Sequence, residues 1–133
     1  MLSDVRQYAQ ETKLIEQEWV QMNLARVYAR LEFLKLANWK VAWSASTGQG
    51  LNVADASTIK VFGTEFYLEA YRLLMEVLGT AGTLRTNSPG ALLRGRVERM
   101  HRSCLILTFG GGTNEIQRDI IGMVALGLPR VNR

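Results

Sequence analysis

Three consecutive glycines followed by a threonine form the most distinctive stretch of this 133-residue sequence. Gly110, Gly111 and Gly112 allow the backbone to take positive φ angles and to approach a ligand closely. Thr113 stands where a hydroxyl can cap the N-terminus of a following helix. A capped helix start behind a glycine turn is either a site for phosphate or another anion, or only a tight connection between two elements.

The helix behind this loop is predicted over residues 113 to 126. Its predicted buried face consists of four apolar residues at helical spacing, namely Ile116, Ile120, Met123 and Val124. Gly127 and Pro129 follow as a stop signal. The whole stretch is therefore predicted to be a loop, a cap, a helix and a stop.

A group of arginines lies shortly before the glycines, and Glu98 is the only acid among them. It could contact the phosphate of a nucleotide cofactor or of coenzyme A, or it could form a solvated or intersubunit helix face. We expect no nucleic-acid partner, because no aromatic residues interleave with the arginines and no binding motif is present. The group comprises Arg85, Arg94, Arg96, Arg99 and Arg102.

His101 and Cys104 are three residues apart on one predicted helix, a spacing that would suit a nucleophile and its base. Cys104 falls in the apolar stripe of that helix, however, and no third group is visible to orient the imidazole. We therefore expect a buried, unreactive thiol. A single cysteine excludes an internal disulfide and a cysteine-based metal site, and it fits a reducing compartment, the cytoplasm.

Four helices are predicted to position these residues, in an all-α, antiparallel, up-and-down four-helix bundle. Ser3 and Asp4 begin a short segment that leads into the first long helix. The turn cluster Ser46, Thr47, Gly48, Gln49 and Gly50 separates the first two long helices, and Asp55 or Ser57 is expected to cap the second. The predicted helices cover residues 13 to 46, 53 to 78, 91 to 107 and 113 to 126.

Each of the first three helices carries an apolar stripe at steps of three and four residues. On the first helix, Asn38 interrupts the stripe, and Trp19, Phe33, Trp39 and Trp43 lie off it, so other helices or another subunit should cover them. On the second, Lys60, Glu65, Glu69 and Arg72 are expected to face water. The stripes are Val20, Leu24, Val27, Leu31, Leu34, Val41 and Ala45; Ile59, Phe62, Phe66, Ala70, Leu73 and Val77; and Leu93, Val97, Met100, Cys104 and Leu107.

The composition, with 47% apolar and 21% charged residues, is that of one globular domain of residues 1 to 133. No apolar run approaches the roughly 20 residues of a membrane span, and the first ten residues have no signal-peptide core. We expect a soluble protein without a membrane span.

The segment GGTNEIQRDIIGMVALGLPR resembles the C-terminal signature of the flavin-dependent acyl-CoA dehydrogenases, whose usual form is Glu-Gly-Thr-x-x-Ile-Gln-Arg before an amphipathic helix. WVQMNLARVYARLEFLK is similar to the family's segment around Gln-x-x-Leu-Ala. ADASTIKVFGTEFYLEAYRLLMEVLGTAG is similar to its Ala-Ser-x-x-Lys segment leading to a Gln-x-x-Gly-Gly-x-Gly loop. The resemblance covers nearly the whole chain.

This resemblance implies the C-terminal helical domain of a larger oxidoreductase of lipid metabolism, which holds FAD at a subunit interface. In the family, a carboxylate removes the α-proton of an acyl-CoA, the flavin takes a hydride from the β-carbon, and an electron-transfer partner reoxidises it. The resemblance also implies a homo- or hetero-oligomer, a dimer or a tetramer. The cofactor-binding positions that it implies are Gly112, Thr113, Glu115, Glu76, Gly79 and Gly82.

Two of the motifs depart from the family pattern. Glu76 replaces the glutamine before the loop glycines, and Thr80 replaces a glycine. Gly111 stands where most members have the catalytic glutamate, so no catalytic residue is assigned, and the base lies on an earlier helix or in another subunit of the assembly. The family's N-terminal helical and middle β domains are also missing from these 133 residues, so we expect the isolated chain to be inactive.

Two functions fit the sequence. The chain is either the FAD-binding and oligomerising domain of an acyl-CoA dehydrogenase, or a helical association subunit that kept the fold and lost flavin binding and catalysis. Gly112 and Thr113 favour the first function. Glu76 and Gly111 favour the second.

Overall fold

The computed structural model describes residues 1–48 and 50–130, and over these residues it contains no strand. Gln49 of the predicted turn cluster lies outside the described residues. Five α-helices occur in order, connected by turns and short 3-10 segments. They are α1 (Leu2–Glu11), α2 (Glu18–Ser46), α3 (Val53–Leu78), α4 (Arg96–Cys104) and α5 (Asn114–Ala125). The prediction of an all-α fold is confirmed.

The predicted number of four helices is wrong for the described part of the chain, because the N-terminal segment forms the separate helix α1. The chain breaks at Lys13, which has a left-handed φ of 60°, and again at Gln17, whose backbone is extended. A backbone in these conformations cannot continue a helix. Helix α2 therefore begins at Glu18 and not at residue 13.

The predicted third helix is also shorter than expected. A 3-10 turn, Leu92–Gly95, precedes α4, and within it Leu93, Arg94 and Gly95 have φ angles of 48°, 56° and 66°. Left-handed conformations at two residues other than glycine are uncommon and costly. Gly95 fits because a Cβ there would lie 2.5 Å from the backbone nitrogen of Thr86.

The described chain divides into two compact units, and α2 and α3 contribute to both. The first unit comprises Met1–Leu31 and Phe66–Leu105. Here α2 and α3 run antiparallel, since Asn23 Nδ2 donates to Glu76 Oε2 at 3.1 Å and Arg30 pairs with Glu69 about two turns further along α2. Its buried apolar side chains are Val5, Ala9, Val20, Leu24, Val27, Phe66, Ala70, Leu73, Leu74, Val77, Leu78, Val97 and Cys104.

The second unit comprises Glu32–Glu65 and Ile106–Arg133, within the described residues. Again α2 and α3 are antiparallel, because the rings of Phe33 and Phe62 pack with centroids 4.7 Å apart and Lys40 Nζ lies 2.9 Å from Asp55 Oδ2. The core here is smaller and includes Leu34, Ala54 and Val61. The predicted antiparallel pairing of the two long helices is therefore confirmed within each unit, whereas the bundle of four helices is not.

Several residues of the predicted stripes are exposed in the chain. Ile116 and Val124 on α5 keep 44% and 57% of their surface, and Leu107 keeps 39%. Ala45 is also exposed, and Leu31 is half-buried. The prediction that these side chains are buried is wrong for the chain by itself. The off-stripe aromatics Trp19, Phe33, Trp39 and Trp43 are all exposed.

The helix ends follow local chemistry. Asn52, and not Asp55 or Ser57, caps α3, because its Oδ1 accepts the backbone N–H of Ala54 at 2.9 Å. Asp55 is instead held by Lys40, and Ser57 is buried. At the end of α5, Gly127 takes the left-handed φ of 65° that the predicted stop requires. Over the residues the structure describes, no helix is long and apolar enough to cross a membrane.

Candidate functional site

The glycine loop before α5 has the conformation that its sequence predicts. Gly111 and Gly112 have φ angles of 70° and 91°. Thr113 has an extended backbone and caps the helix, since its Oγ1 accepts the N–H of Ile116 at 3.4 Å. A Cβ at Gly112 would lie 3.1 Å from the side-chain nitrogen of Gln117, so a larger residue would displace this amide slightly in addition to being strained by the positive φ.

Lys60 of α3 binds this loop through hydrogen bonds from its side-chain amine. Its Nζ donates to the carbonyl oxygen of Gly112 at 2.7 Å, to that of Thr108 at 3.3 Å and to Asn114 Oδ1 at 2.6 Å. The prediction that Lys60 faces water is therefore wrong. The amine thus links two backbone carbonyls of the loop segment to the side chain that begins α5.

Asn114, the first residue of α5, is the most buried polar residue of this region, with 4% of its surface exposed. Its Oδ1 accepts from Lys60 and also, at 3.2 Å, from the hydroxyl of Thr64. Its Nδ2 donates to Thr64 Oγ1 and to Glu65 Oε1, both at 3.1 Å. Both ends of the amide are thus satisfied, and a buried amide must be hydrogen-bonded to avoid a large desolvation cost.

An ion pair closes this network on the other side. Arg118 Nη2 lies 2.6 Å from Glu65 Oε1, so the acid that accepts from Asn114 is also neutralised. Glu65 was expected to face water, and it is indeed about half exposed, but it has two partners from α5. We call Lys60, Thr64, Glu65, Asn114 and Arg118 the loop-anchoring network. It fixes the start of α5 to the middle of α3.

Glu115 follows the buried amide and faces solvent. A hydrogen bond from its own backbone N–H, and another from the hydroxyl of Thr113, hold the pKa of the Glu115 carboxyl below its usual value. The charges of Arg118 and Lys60 act in the same direction. The start of α5 therefore stabilises negative charge, as the helix dipole predicts.

The other predicted cofactor positions lie in the first unit. Glu76 accepts from Asn23 and pairs with Arg72, so its carboxylate already has two partners. Gly79 ends α3 with a φ of 65°, and a Cβ there would meet nothing within 4 Å. Gly82 is buried, and a Cβ there would lie 2.6 Å from that of Leu78, so packing alone requires this glycine.

Two grooves open in the first unit. One, of about 360 Å³, contains Glu76, Gly79 and His101 in its lining. The other, of about 390 Å³, lies between α1 and the strained turn, with Arg94 and Arg96 opposite Asp4 and Glu11. Within the arginine group, Arg102 is paired with Glu98 and is therefore not free to meet phosphate.

Cys104 is buried, and burial raises the pKa of its thiol. A raised pKa keeps the sulfur protonated and unreactive near neutral pH. His101 lines the groove that also contains Glu76, and within the described residues it makes no hydrogen bond to Cys104. The expectation of a buried, unreactive thiol agrees with this geometry.

The glycine loop, the loop-anchoring network and the capped start of α5 form one hydrogen-bonded cluster, which has no carboxylate at Gly111. The model of the family described as the C-terminal domain of acyl-CoA dehydrogenase matches residues 1–126. The chain belongs to the acyl-CoA dehydrogenase family. The predicted resemblance is confirmed.

Two relatives from Mycobacterium tuberculosis are similar over nearly the whole chain. The acyl-CoA dehydrogenase FadE26 is 71% identical over 140 aligned residues, which cover 99% of this chain and 35% of that protein. The acyl-CoA dehydrogenase FadE29 is 39% identical over 119 residues, which cover 90% of this chain and 30% of that protein. The chain thus spans about a third of the length of these relatives.

Solved structures of family members share the fold. The ChsE4-ChsE5 complex from Mycobacterium tuberculosis contains a chain 70% identical to this one, with a TM-score of 0.92, and the match covers 98% of this chain and 34% of that one. A chain of the Tcur3481-Tcur3483 steroid acyl-CoA dehydrogenase is 42% identical, with the same TM-score and the same coverage. The fold of this acyl-CoA dehydrogenase domain is therefore that of its relatives.

Within this acyl-CoA dehydrogenase domain, sequence reasoning identified the loop and missed what holds it. Gly111, Gly112 and Thr113 lie where the signature predicts. Lys60 and Asn114 were not singled out as functional residues. A signal was present, because Lys60 and Thr64 are one helical turn apart and Asn114 follows the cap directly, but their partners are about 50 residues away in sequence.

Proposed function

We propose that this chain is the FAD-binding and oligomerising C-terminal domain of a flavin-dependent acyl-CoA dehydrogenase. The observation that carries the proposal is the geometry of residues 111 to 113, where two glycines with positive φ lead into a capped helix start. Such a start offers backbone N–H groups and a favourable dipole to a phosphate or another electron-rich group. The lowered pKa of Glu115 also indicates that the start of α5 favours a negative charge.

The residues of this loop fit the cofactor. The loop carries no acid between Gly110 and Thr113, and the first acid after it is Glu115 on α5. Lys60 places a positive charge on the carbonyl side of the loop, whereas the charge of Arg118 is paired with Glu65. Thr113 supplies a hydroxyl at the helix start. When bound, FAD supplies the acceptor for the hydride that leaves the β-carbon of an acyl-CoA, whereas these residues only bind and orient it.

This chain does not supply the proton acceptor at the usual place. Removal of an α-proton requires a positioned carboxylate, and Gly111 has no side chain. We propose that the base belongs to another part of the complete enzyme. The relatives include a ChsE4-ChsE5 complex and a two-protein steroid acyl-CoA dehydrogenase, which supports an assembly of two different subunits and an acyl-CoA derived from a steroid.

The exposed apolar side chains support an assembly as well. Trp39 and Trp43 on α2 each keep 68% of their surface exposed, and Phe109 in the glycine loop segment keeps 64%. Large exposed apolar groups of this kind mark interaction surfaces. The exposed apolar side chains also fit the second candidate, a helical association subunit without flavin. Glu76 favours this candidate as well, because its carboxylate is already bonded to Asn23 and Arg72.

One experiment separates the two candidates. The full-length protein, alone and coexpressed with its neighbouring acyl-CoA dehydrogenase subunit, is mixed with FAD, passed over a desalting column and examined by sedimentation velocity. We expect a yellow oligomer with bound flavin. A colourless oligomer would leave only the association function, and a stable monomer at about 10 µM would contradict oligomerisation.

Thr113→Val tests the role of the cap in cofactor binding. We expect the full-length variant to bind FAD about fivefold more weakly, since loss of a helix cap costs about 1 kcal/mol and the helix start would lose its fixed geometry. Flavin content after dialysis and the dissociation constant from flavin fluorescence give the measurement. Thr58→Val is the matched control, because Thr58 bonds only the carbonyl of Ala54 within α3. Equal flavin affinity in both variants would reduce Thr113 to a helix cap.

A further inference from the structure

Among the described residues, Lys60 is the only charged residue of α3 that hydrogen-bonds to backbone carbonyls of the glycine loop segment. Its amine donates to two backbone carbonyls, those of Thr108 and Gly112, and to the side-chain oxygen of Asn114. All three acceptors are neutral. Among residues 1–48 and 50–130, no carboxylate lies within ion-pair distance of Lys60, whereas the neighbouring acid Glu65 is already paired with Arg118.

The carbonyls of the loop determine where its N–H groups point. In a trans peptide the C=O and the following N–H have opposite directions. The Gly112 carbonyl points to Lys60, so the N–H of Thr113 points away from it. The Gly111 carbonyl accepts from Gln117 Nε2 at 2.8 Å, so the N–H of Gly112 points away from Gln117. Over the described residues, neither N–H donates to an acceptor of the protein.

We infer that Lys60 is a positioning residue for flavin binding: by holding the carbonyls of Thr108 and Gly112, it presents the N–H of Thr113 at the start of α5 to the anionic part of FAD. This inference rests on the proposed function. Lys60 lies on the carbonyl side of the loop and acts through the loop backbone. Its charge adds to the positive end of the α5 dipole and, like that of Arg118, favours the ionised carboxyl of Glu115.

A purely structural lysine would have a different signature. It would stabilise the protein equally with and without flavin. A positioning residue instead contributes mainly when the ligand is bound, so its removal should reduce the stabilisation that FAD confers, because ligand stabilisation depends on the dissociation constant. The shift in melting temperature on adding FAD is therefore the quantity that separates the two roles.

The test uses the full-length protein in its complex, stripped of flavin and titrated with FAD. Lys60→Met removes the charge at nearly constant length, and Lys60→Arg keeps the charge with a larger head group. Lys40→Met is the matched control, since Lys40 also lies in the second unit and pairs with Asp55, away from the loop. The measurements are the FAD dissociation constant, the melting temperature with and without FAD, and the visible spectrum of the bound flavin.

We expect Lys60→Met to raise the FAD dissociation constant about tenfold or more, with a smaller FAD-induced melting shift and an altered flavin spectrum. Lys60→Arg should lie between Lys60→Met and the wild type, and Lys40→Met should equal the wild type. If Lys60→Met does not fold, Lys60→Arg decides: a severalfold weaker FAD affinity with an unchanged flavin-free melting temperature supports the positioning role.

Two results would overturn the inference, and they differ. If Lys60→Met binds FAD with wild-type affinity and shows an unchanged FAD-induced shift in melting temperature, the positioning role is refuted and the proposed function stays intact. The same results for Lys60→Arg refute it where Lys60→Met does not fold. A wild-type complex that binds no FAD would refute the proposed function, and the inference with it.

Discussion

Replacing Asn114 by alanine is expected to lower the free energy of unfolding of this chain by about 3 kcal/mol. Asn114 has 4% of its surface exposed and exchanges hydrogen bonds with Lys60, Thr64 and Glu65. Its removal leaves a small cavity and takes away a partner from a lysine amine and a carboxylate. Leaving one such group unsatisfied costs about 1–3 kcal/mol, more for a charged one.

Chemical denaturation followed by helical circular dichroism measures this loss. Asn38→Ala is the matched control, because Asn38 lies on α2, is exposed and donates only to the carbonyl of Leu34. A surface change of this type should alter stability by no more than about 0.5 kcal/mol. A loss below about 1 kcal/mol for Asn114→Ala would show that water replaces the amide, so that the loop-anchoring network does not hold α5 in place.

The parts of the site that sequence reasoning predicted are local ones. The positive φ angles of Gly111 and Gly112 and the cap at Thr113 depend on residues within about four positions of one another. Glycine conformations and helix caps are determined at that range. The same holds for Gly127, which ends α5 as its position predicts.

The loop-anchoring network could not be predicted in this way. A lysine between apolar residues on a helix is normally solvated, and nothing near Lys60 in sequence indicates a partner. Its acceptors in and after the glycine loop are 48 to 54 residues away. Pairing over such a distance depends on how α5 packs against α3, which the amphipathic pattern leaves open.

The errors in the helix count have a similar origin. Lys13, Leu93 and Arg94 take left-handed φ angles although none of them is glycine. No local signal marks such residues, because the surrounding packing imposes the conformation against its intrinsic cost. The predicted helices therefore ran through both breaks.

Hydrophobic periodicity identified apolar faces but not what covers them. Ile116 and Val124 follow helical spacing, and yet they keep 44% and 57% of their surface exposed in the chain. A side chain that packs in the core of its own chain and one that is buried against another subunit give the same helical spacing. The apolar pattern of α5 therefore predicted a buried face and could not separate these two cases.

The last prediction concerns the missing carboxylate at Gly111. We expect the isolated chain to have no dehydrogenase activity, and Gly111→Glu to produce none in it. The chain spans about a third of the length of its relatives, and it has no carboxylate at Gly111 to accept a proton. In the full-length enzyme, we expect Gly111→Glu to leave activity toward an acyl-CoA at or below that of the wild type.

The backbone explains this expectation. A Cβ at Gly111 would meet nothing within 4 Å, so a glutamate has room, but the φ of 70° is unfavourable for it. A left-handed residue with a Cβ costs about 1–2 kcal/mol, and relieving that strain would move the carbonyl that Gln117 holds. The new carboxylate would then act from a displaced loop.

Gly111→Ala imposes the same strain without the acid, so activity of the two full-length variants, measured with an artificial electron acceptor, should fall together. At least a tenfold rise in Gly111→Glu alone would instead show that the missing base at this position is the only defect of the enzyme.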